Sequence, residues 1–501
     1  MSVSGIGAGN PPAVQSMLNL QNQLDQLSQE LGSNEKSSTY SGLGSQSGVT
    51  VGLDAQLAAI NGYGNAITDV GTSLTIAQTA LQQIASAGTT VLDSINQEGS
   101  FTIDNTGQTQ VQESAASQLD QILSTLNTQS GNQYLFSGTA VNQPSVVNAD
   151  EMLNGNGNQA GLKQVIAERN QADLGADGLG RLVIPAAVGS TVSISEDVAG
   201  SPFGFKLASV SSSLTGATVT GPSGSPAAIS VDLGATNPNN GDSITFTFNL
   251  PDGTTQNLTL QATSSATPGT DQFSIGSTPA ATATNLQAAL TTAVGQLADT
   301  SLSAASAVAA GNDFFDNPPQ RVAGPPFSTS TSLVNGTSAN TVIWYTGDAS
   351  NTPARSTATA LVGPSTTVSY GMRANEPALS STVESVAVLA AVSYSPTDPN
   401  AEASYAALTQ RLATTLSGPP GTQTVSDIEA DLANAQVTIN TAKTNNQQTQ
   451  SALSDMLQQI EGVSDAQLGA QILQVQNSLQ ASMSTVARLA QLSLVNYLAP
   501  P

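Results

Sequence analysis

Residues 463–489 read VSDAQLGAQILQVQNSLQASMSTVARL, and their spacing decides the fold. Leu468, Ile472, Val475, Leu479, Met483, Val486 and Leu489 recur at steps of three and four. That period places them on one side of a helix, and a one-sided apolar seam belongs to a helix that lies against another. The same pattern stands at the other end of the chain, in Met17, Leu20, Leu24, Leu27 and Leu31. Two terminal helices with one greasy side each point to a subunit that associates rather than to a self-contained catalyst. The residues expected to carry that association are Met17, Leu20, Leu24, Leu27 and Leu31 at the front, with Ile472, Val475, Leu479, Val486, Leu489, Leu492 and Leu494 at the back.

Inward from the front helix, Gly32 is the expected C-cap and residues 33–50 read as a polar, Gly-rich linker. Leu53, Leu57, Ile60, Ile67, Val70, Leu74, Ala77, Leu81, Ile84 and Val91 then form a second stripe over 53–95. A helix of that length spans roughly 60 Å at 1.5 Å per residue and implies a bundle or coiled coil. Gly62, Gly64, Gly71 and Gly88 lie within it, each costing about 1 kcal/mol relative to Ala, so lateral packing must supply its stability. Residues 108–129 give a third helix.

From about 150 to 400 the chain turns rich in Thr, Ser, Gly, Pro and Val. Residues 243–250, SITFTFNL, alternate apolar and polar; Pro251-Asp252-Gly253 follows, and Leu258 and Leu260 alternate again, as in a strand, a tight turn and a returning strand. Residues 192–195 and 341–345 read as further strands, and 280–298 as a helix. Helices resume near 378. Ser426 with Glu429 and Ser464 with Gln467 match capping boxes, and the seam through Val425, Ile428, Leu432, Ala435, Ile439, Ala442, Leu453, Met456 and Ile460 breaks at Gly462. The expected class is α+β: a long, coiled-coil-like helical bundle formed by the N- and C-terminal segments, with a β-rich inserted outer domain. The expected divisions are an assembly helix and linker over 1–50, a long-helix core over 51–145, the insert over 146–375, a second long-helix core over 376–462 and a last assembly helix over 463–501.

Composition narrows the function. The 501 residues include 35 acids against 11 bases, a net charge of −24, and such a surface repels phosphate backbones and anionic membranes. No run approaches the ~18 apolar residues of a membrane span, and the opening MSVSGIGAGN lacks the basic and apolar regions of a secretory signal. The chain has no Cys and no His, so a Ser–His–Asp triad, a thiol nucleophile, a Cys- or His-built zinc site and a disulfide are impossible. Asp173, Asp177 and Gly178 match a calcium loop only in part. Asp313 and Asp316 are a candidate carboxylate pair of the kind glycoside hydrolysis needs, with a solvated loop as the plain alternative. Asn257-Leu258-Thr259 fits an N-glycosylation pattern but falls on an expected strand. The expectation is a non-enzymatic protein without cofactor or metal. A glycan-binding module in 160–370 and a peptidoglycan-cleaving enzyme remain as readings from other classes.

Four stretches carry a resemblance. Residues 132–139, Asn-Gln-Tyr-Leu-Phe-Ser-Gly-Thr, resemble the motif that closes the N-terminal helical part in the hook-associated protein 3 group of the bacterial flagellin family, through Tyr134, Leu135, Phe136 and Gly138. Residues 370–376, YGMRANE, resemble the re-entry into the helical core in the same group. Ala470-Gln471-Ile472-Leu473-Gln474 is similar to the last-helix motif of flagellins, and 487–498, ARLAQLSLVNYL, to the ending of alphaproteobacterial members of the group. The resemblance covers 13–140 and 370–498. The flagellin signature Ser-Ser-Gly-Leu-Arg-Ile-Asn is not found; Ser38-Thr39-Tyr40-Ser41-Gly42 stands near its place.

The resemblance implies a ring at the hook–filament junction, stacked through terminal helices with the middle facing outward; a filament subunit is the alternative. It also implies an extracellular protein exported through the flagellar type III channel without a cleaved signal. Its partners would be copies of itself, other axial proteins of the flagellum and an export chaperone, with no nucleic acid and no membrane insertion. Tyr134 and Phe136 read as core residues where the helical part turns into the insert.

Overall fold

The computed structural model describes residues 11–497, with no side-chain description for Pro11, Ala13, Leu489, Ala490 and 492–497. It is a mixed α+β protein. In chain order the helices are α1 (Pro11–Ser33), α2 (Ser47–Gln97), α3 (Gln110–Leu126), α4 (Ala149–Asn154), α5 (Leu162–Leu174), α6 (Pro279–Leu297), α7 (Ser303–Phe315), α8 (Pro377–Ala391), α9 (Ala401–Leu416), α10 (Val425–Glu461) and α11 (Asp465–Tyr497). The chain divides into two compact units.

The first unit comprises Met1–Gly71, Ala360–Val368 and Val437–Pro501. Here α1 lies against α11, and the front of α2 against the rear of α10. The second pairing buries Leu53, Ile60 and Leu453, with Leu57, Leu457 and Ile460 partly covered, because these residues fall on one side at helical spacing. Met456 departs from the expected seam and is exposed. Asn446 lies in the same unit and donates its amide to the Val362 carbonyl at 3.0 Å.

Helix α1 does not stop at Gly32. It runs to Ser33, and Asn34 takes the left-handed conformation at φ +59°, a role its short polar side chain tolerates. The expected linker is partly helical, with a 3₁₀ turn at Tyr40–Gln46 leading into α2 at Ser47.

The second unit comprises Thr72–Thr359 and Ser369–Gln436. Its helical part packs α3, α7 and α9 against α8, in which Leu379, Val383, Val386, Val388 and Leu389 are fully buried. α3 opens with a capping box in which Thr109 and Gln112 satisfy each other's backbone N–H groups. α10 is capped by Thr424 and Asp427, not by Ser426 and Glu429: the Thr424 hydroxyl accepts from Asp427 N at 3.3 Å, and the Asp427 carboxylate accepts from Thr424 N at 2.8 Å. The cap therefore sits two residues earlier than the spacing predicts.

The strands of this unit are β1 (Gln129–Ser130), β2 (Gln133–Tyr134), β3 (Leu182–Val183), β4 (Thr191–Glu196), β5 (Lys206–Ser212), β6 (Thr218–Ser223), β7 (Ala228–Asp232), β8 (Ser243–Asn249), β9 (Thr255–Thr263), β10 (Gln272–Ser274), β11 (Gln320–Val322) and β12 (Leu333–Asn335). One sheet has the order β3-β4-β7-β6 and another β10-β9-β8-β5. The alternation read in 243–250 is β8, antiparallel to β9 with Ile244 opposite Leu260 and Phe246 opposite Leu258. Both sheets and α6 share one apolar core containing Phe205, Phe246, Phe248, Phe273, Ile194, Leu286 and Leu290. Residues 341–345 form no strand. Thr341 makes a single bridge to Ala160 and Tyr345 one to Val146, so the apolar alternation there lacks a neighbouring strand to continue it. The helix expected over 280–298 passes through a wider π turn, Ala298–Leu302, straight into α7.

Candidate assembly interface

The α1–α11 pair gathers most of the residues singled out for association. Leu27 of α1 and Val475 of α11 are buried together with Leu468, and Leu20, Leu24, Val463 and Ile472 pack around them. Met17, Leu479 and Val486 are half-buried. Leu31 is 42% exposed, because the chain turns at Asn34 before a facing turn of α11 can cover it. Leu489, Leu492 and Leu494 lie outside the described side chains. Part of the seam is thus closed within one chain, and its margins are open.

The open apolar surface falls elsewhere on the same unit. Fifteen large apolar side chains are exposed among the described residues, and eleven of them belong to the smaller, first unit. Val14 and Leu18 on α1, Val49 and Val51 on α2, and Leu473 and Met483 on α11 are 47–61% exposed. Leu473 stands off the buried face of α11, whereas Met483 falls at the expected seam spacing and is still open, so the apolar surface of this helix extends beyond what α1 covers.

Charge follows the same division, and sequence reasoning missed it. No charged side chain occurs in residues 1–24, and Arg488 is the only one in 466–501. Seven of the eight cations of the second unit are closed instead, Lys163 being exposed. Arg169 pairs with Asp173 and Asp313, Arg181 with Asp197, Lys206 with Glu196, Arg321 with Glu168, Arg355 with Glu376 and Asp431, Arg373 with Asp348, and Arg411 with Asp252. Seven of the eleven basic residues are used in this way. The signal was present in the spacing of charges along the chain, which apolar periodicity does not read.

Two of the motifs that carry the family resemblance meet. Ser137 and Arg373 form an antiparallel bridge, Gly138 N donates to the Met372 carbonyl at 3.0 Å, and Ala374 N donates to the Phe136 carbonyl at 2.8 Å. Phe136 is fully buried, and Tyr134 and Leu135 are half-buried beside it. Gly138 has φ +64°, and a Cβ there would lie 3.1 Å from Arg373 Nε and 3.1 Å from Asp348 Cβ. The glycine lets the Arg373 guanidinium reach the Asp348 carboxylate at 2.8 Å and the Ser350 carbonyl at 2.6 Å. The Ser350 N–H, the Thr139 and Ser350 hydroxyls and Arg373 hold the Asp348 carboxyl down at about 2.

The acidic candidates resolve into structure. Asp173 accepts from Arg169 Nε at 3.0 Å and from Gly204 N at 2.8 Å, which commits both carboxylate oxygens. Asp313 faces Arg169 as well, and Asp316 accepts from Asn317 N at 2.8 Å, so Asp313 and Asp316 do not face one another across a cleft. Burial weakens the Arg169 cation, but Asp173 and Asp313 more than restore it. Asn257 accepts from the Thr247 hydroxyl across β8 and β9 at 2.8 Å. Among the described residues no cluster of three or more acidic side chains is placed to hold a metal ion, and no helix is long and apolar enough to cross a membrane. No family model, curated protein or solved structure matches the chain.

Proposed function

We propose that this chain is a structural, non-enzymatic subunit of the bacterial flagellum that joins hook to filament through association of its terminal helices. In this reading the terminal segments form a long helical bundle and the β-rich region between residues 146 and 375 is an outer domain. The protein works outside the cell. One observation carries the association. The unit that holds both termini has most of the exposed apolar side chains, and its terminal segments are almost free of charge. In a chain of net charge −24, copies repel wherever carboxylates face one another, so contact is cheapest where charge is absent and apolar area is open. Each CH₂ covered there contributes roughly 0.8 kcal/mol, a sum that grows around a ring.

The flagellar assignment rests on the resemblance of 132–139, 370–376 and the last helix; the direct pairing of Phe136–Gly138 with Met372–Ala374 supports it, since two separated motifs serve one piece of structure. A filament subunit is the second reading, favoured by the same charge-free helices. Deleting the gene separates the two. Bare hooks with filament subunits shed into the medium are the expected result. Hooks bearing short or altered filaments would favour the filament subunit, and unchanged flagella and motility would overturn both.

A further inference from the structure

Within the second unit, a cavity of about 260 Å³ opens between residues 174–183, the end of β4 and a 3₁₀ turn at Phe327–Thr329. Arg181 lies in its wall, one residue before β3. The residue is only 5% exposed, and its backbone takes the left-handed conformation at φ +67°, which side chains other than glycine rarely adopt. Two glycines give way to it. A Cβ at Gly175 would lie 2.9 Å from Arg181 Cδ, and one at Gly204 would collide with Cγ. Backbone strain of this kind persists only where the surroundings over-determine it, and it gathers at ligand clamps. The fold therefore fixes this guanidinium in one place.

The charge of Arg181 is met, but its donors are not all used. Nε sits 2.6 Å from Asp197 Oδ2 yet is out of line for a hydrogen bond, and Nη1 donates to the Ser328 carbonyl at 2.8 Å. Among the described residues Nη2 has no acceptor. A buried guanidinium with idle N–H groups is costly until something accepts from them. Idle acceptors stand around the same cavity. Among the described residues Asp177 has no hydrogen bond or ion pair, and Asp197 Oδ1 has no donor. Val183 and Val198 line the cavity too and are 45% and 37% exposed. A donor beside free carboxylate oxygens is the complement of neighbouring hydroxyls, each of which accepts and donates at once. Two carboxylates against one guanidinium leave the rim negative, which turns an acidic ligand away. The volume falls just below the ~300 Å³ at which drug-sized pockets begin, so it suits one ring and not a long ligand. We propose that this cavity binds one neutral pyranose residue of a glycan, its vicinal hydroxyls held by Arg181, Asp177 and Asp197 and its C–H face covered by Val183 and Val198. The site stands apart from the association proposed above.

The methyl glycosides of glucose, galactose and mannose serve as probes against the full-length chain in saturation-transfer NMR. Transfer to the ring protons of at least one of them is the expected result. Asp177 is exposed and without a protein partner, so Asp177→Asn should leave the thermal unfolding midpoint unchanged while weakening that binding about tenfold. Arg181→Lys keeps a cation beside Asp197 but removes the Nη2 donor, and should weaken binding at least as much. Methyl glucuronide, the same ring with an added carboxylate, should give less transfer than the glucoside. Absence of transfer from every neutral glycoside, binding undiminished by Asp177→Asn, or stronger binding of the glucuronide would each overturn the neutral-sugar site. A chain that stays monomeric would sink the proposed function and leave this site standing or falling by the glycosides alone.

Discussion

Gly138 and Arg373 show how a single residue conformation fixes a long-range contact. The left-handed backbone at Gly138 leaves room for a guanidinium that binds Asp348 and Ser350. Gly138→Ala should cost about 2–3 kcal/mol in urea unfolding, combining a positive-φ penalty with a displaced Arg373. Gly131 has a similar φ of +62° but an open surrounding, so Gly131→Ala should cost only about 1 kcal/mol. Equal losses would mean that the Arg373 contact adds nothing. Glu384 makes a different residue-scale case. It packs beside Gly311, where an added Cβ would meet its Oε1 at 3.0 Å, and burial, with Asp313 nearby, raises its carboxyl to about 8. An unfolded chain releases that proton near 4.5, so the folded chain holds one more proton between these values. Stability should therefore fall as pH rises from 4.5 through 8 and flatten above it. Glu384→Gln should remove that slope and raise stability at pH 9 by about 1–2 kcal/mol, allowing for its partial exposure. Parallel wild-type and variant pH profiles would refute this.

Among the elements, α2 holds the clearest test of association. Gly62 and Gly64 have nothing within 4 Å of an added Cβ, whereas Gly88 faces Thr382 of α8 at 3.1 Å. In the lone chain, Gly62→Ala and Gly64→Ala should each stabilise by up to about 1 kcal/mol, since Ala is the better helix former. If neighbouring copies approach α2 closely, the same changes should weaken association measured by sedimentation. A gain in stability with undiminished association would place the intersubunit contact elsewhere. Legibility also differed between elements for physical reasons. The stripe of α2 was readable because Leu74, Ala77, Leu81 and Ile84 are buried at helical spacing. α5 was not, because its buried face includes Glu168, Arg169 and Asp173, which interrupt any apolar period. α7 escaped for the opposite reason: Ala304, Ala305, Ala307, Ala309 and Ala310 are all buried, so it has no polar side to set a phase. Leu31, Met456 and Met483 fall at seam spacing and are nevertheless exposed, because period alone does not show where a partner helix ends.

Across the whole molecule, charge and apolar area are segregated. Most cations are closed into pairs within the second unit, and the terminal segments carry almost no charge. Repulsion between copies is then unbalanced and long-ranged, and salt should relieve it, since the screening length falls from roughly 10 Å at 0.1 M to 3 Å at 1 M. Self-association, followed by light scattering, should strengthen as sodium chloride rises over that range. Weakening with salt would show that ion pairs, not apolar contact, hold the copies together.

The sequence by itself determined the long helices, the β8–β9 hairpin and the neutral, apolar character of the ends. All of these are written in residues a few positions apart, where period and composition act directly on the backbone. Only the tertiary structure decided which groups would pair at a distance. Arg169 meets Asp313 across 144 residues, Arg321 meets Glu168 across 153, and Arg411 meets Asp252 across 159. It also decided that two separated motifs share one bridge and that two helix breaks fall side by side. Such partners are chosen by the geometry of the assembled core, where a buried charge must find its counter-ion wherever the chain has brought one, and no local spacing encodes that choice.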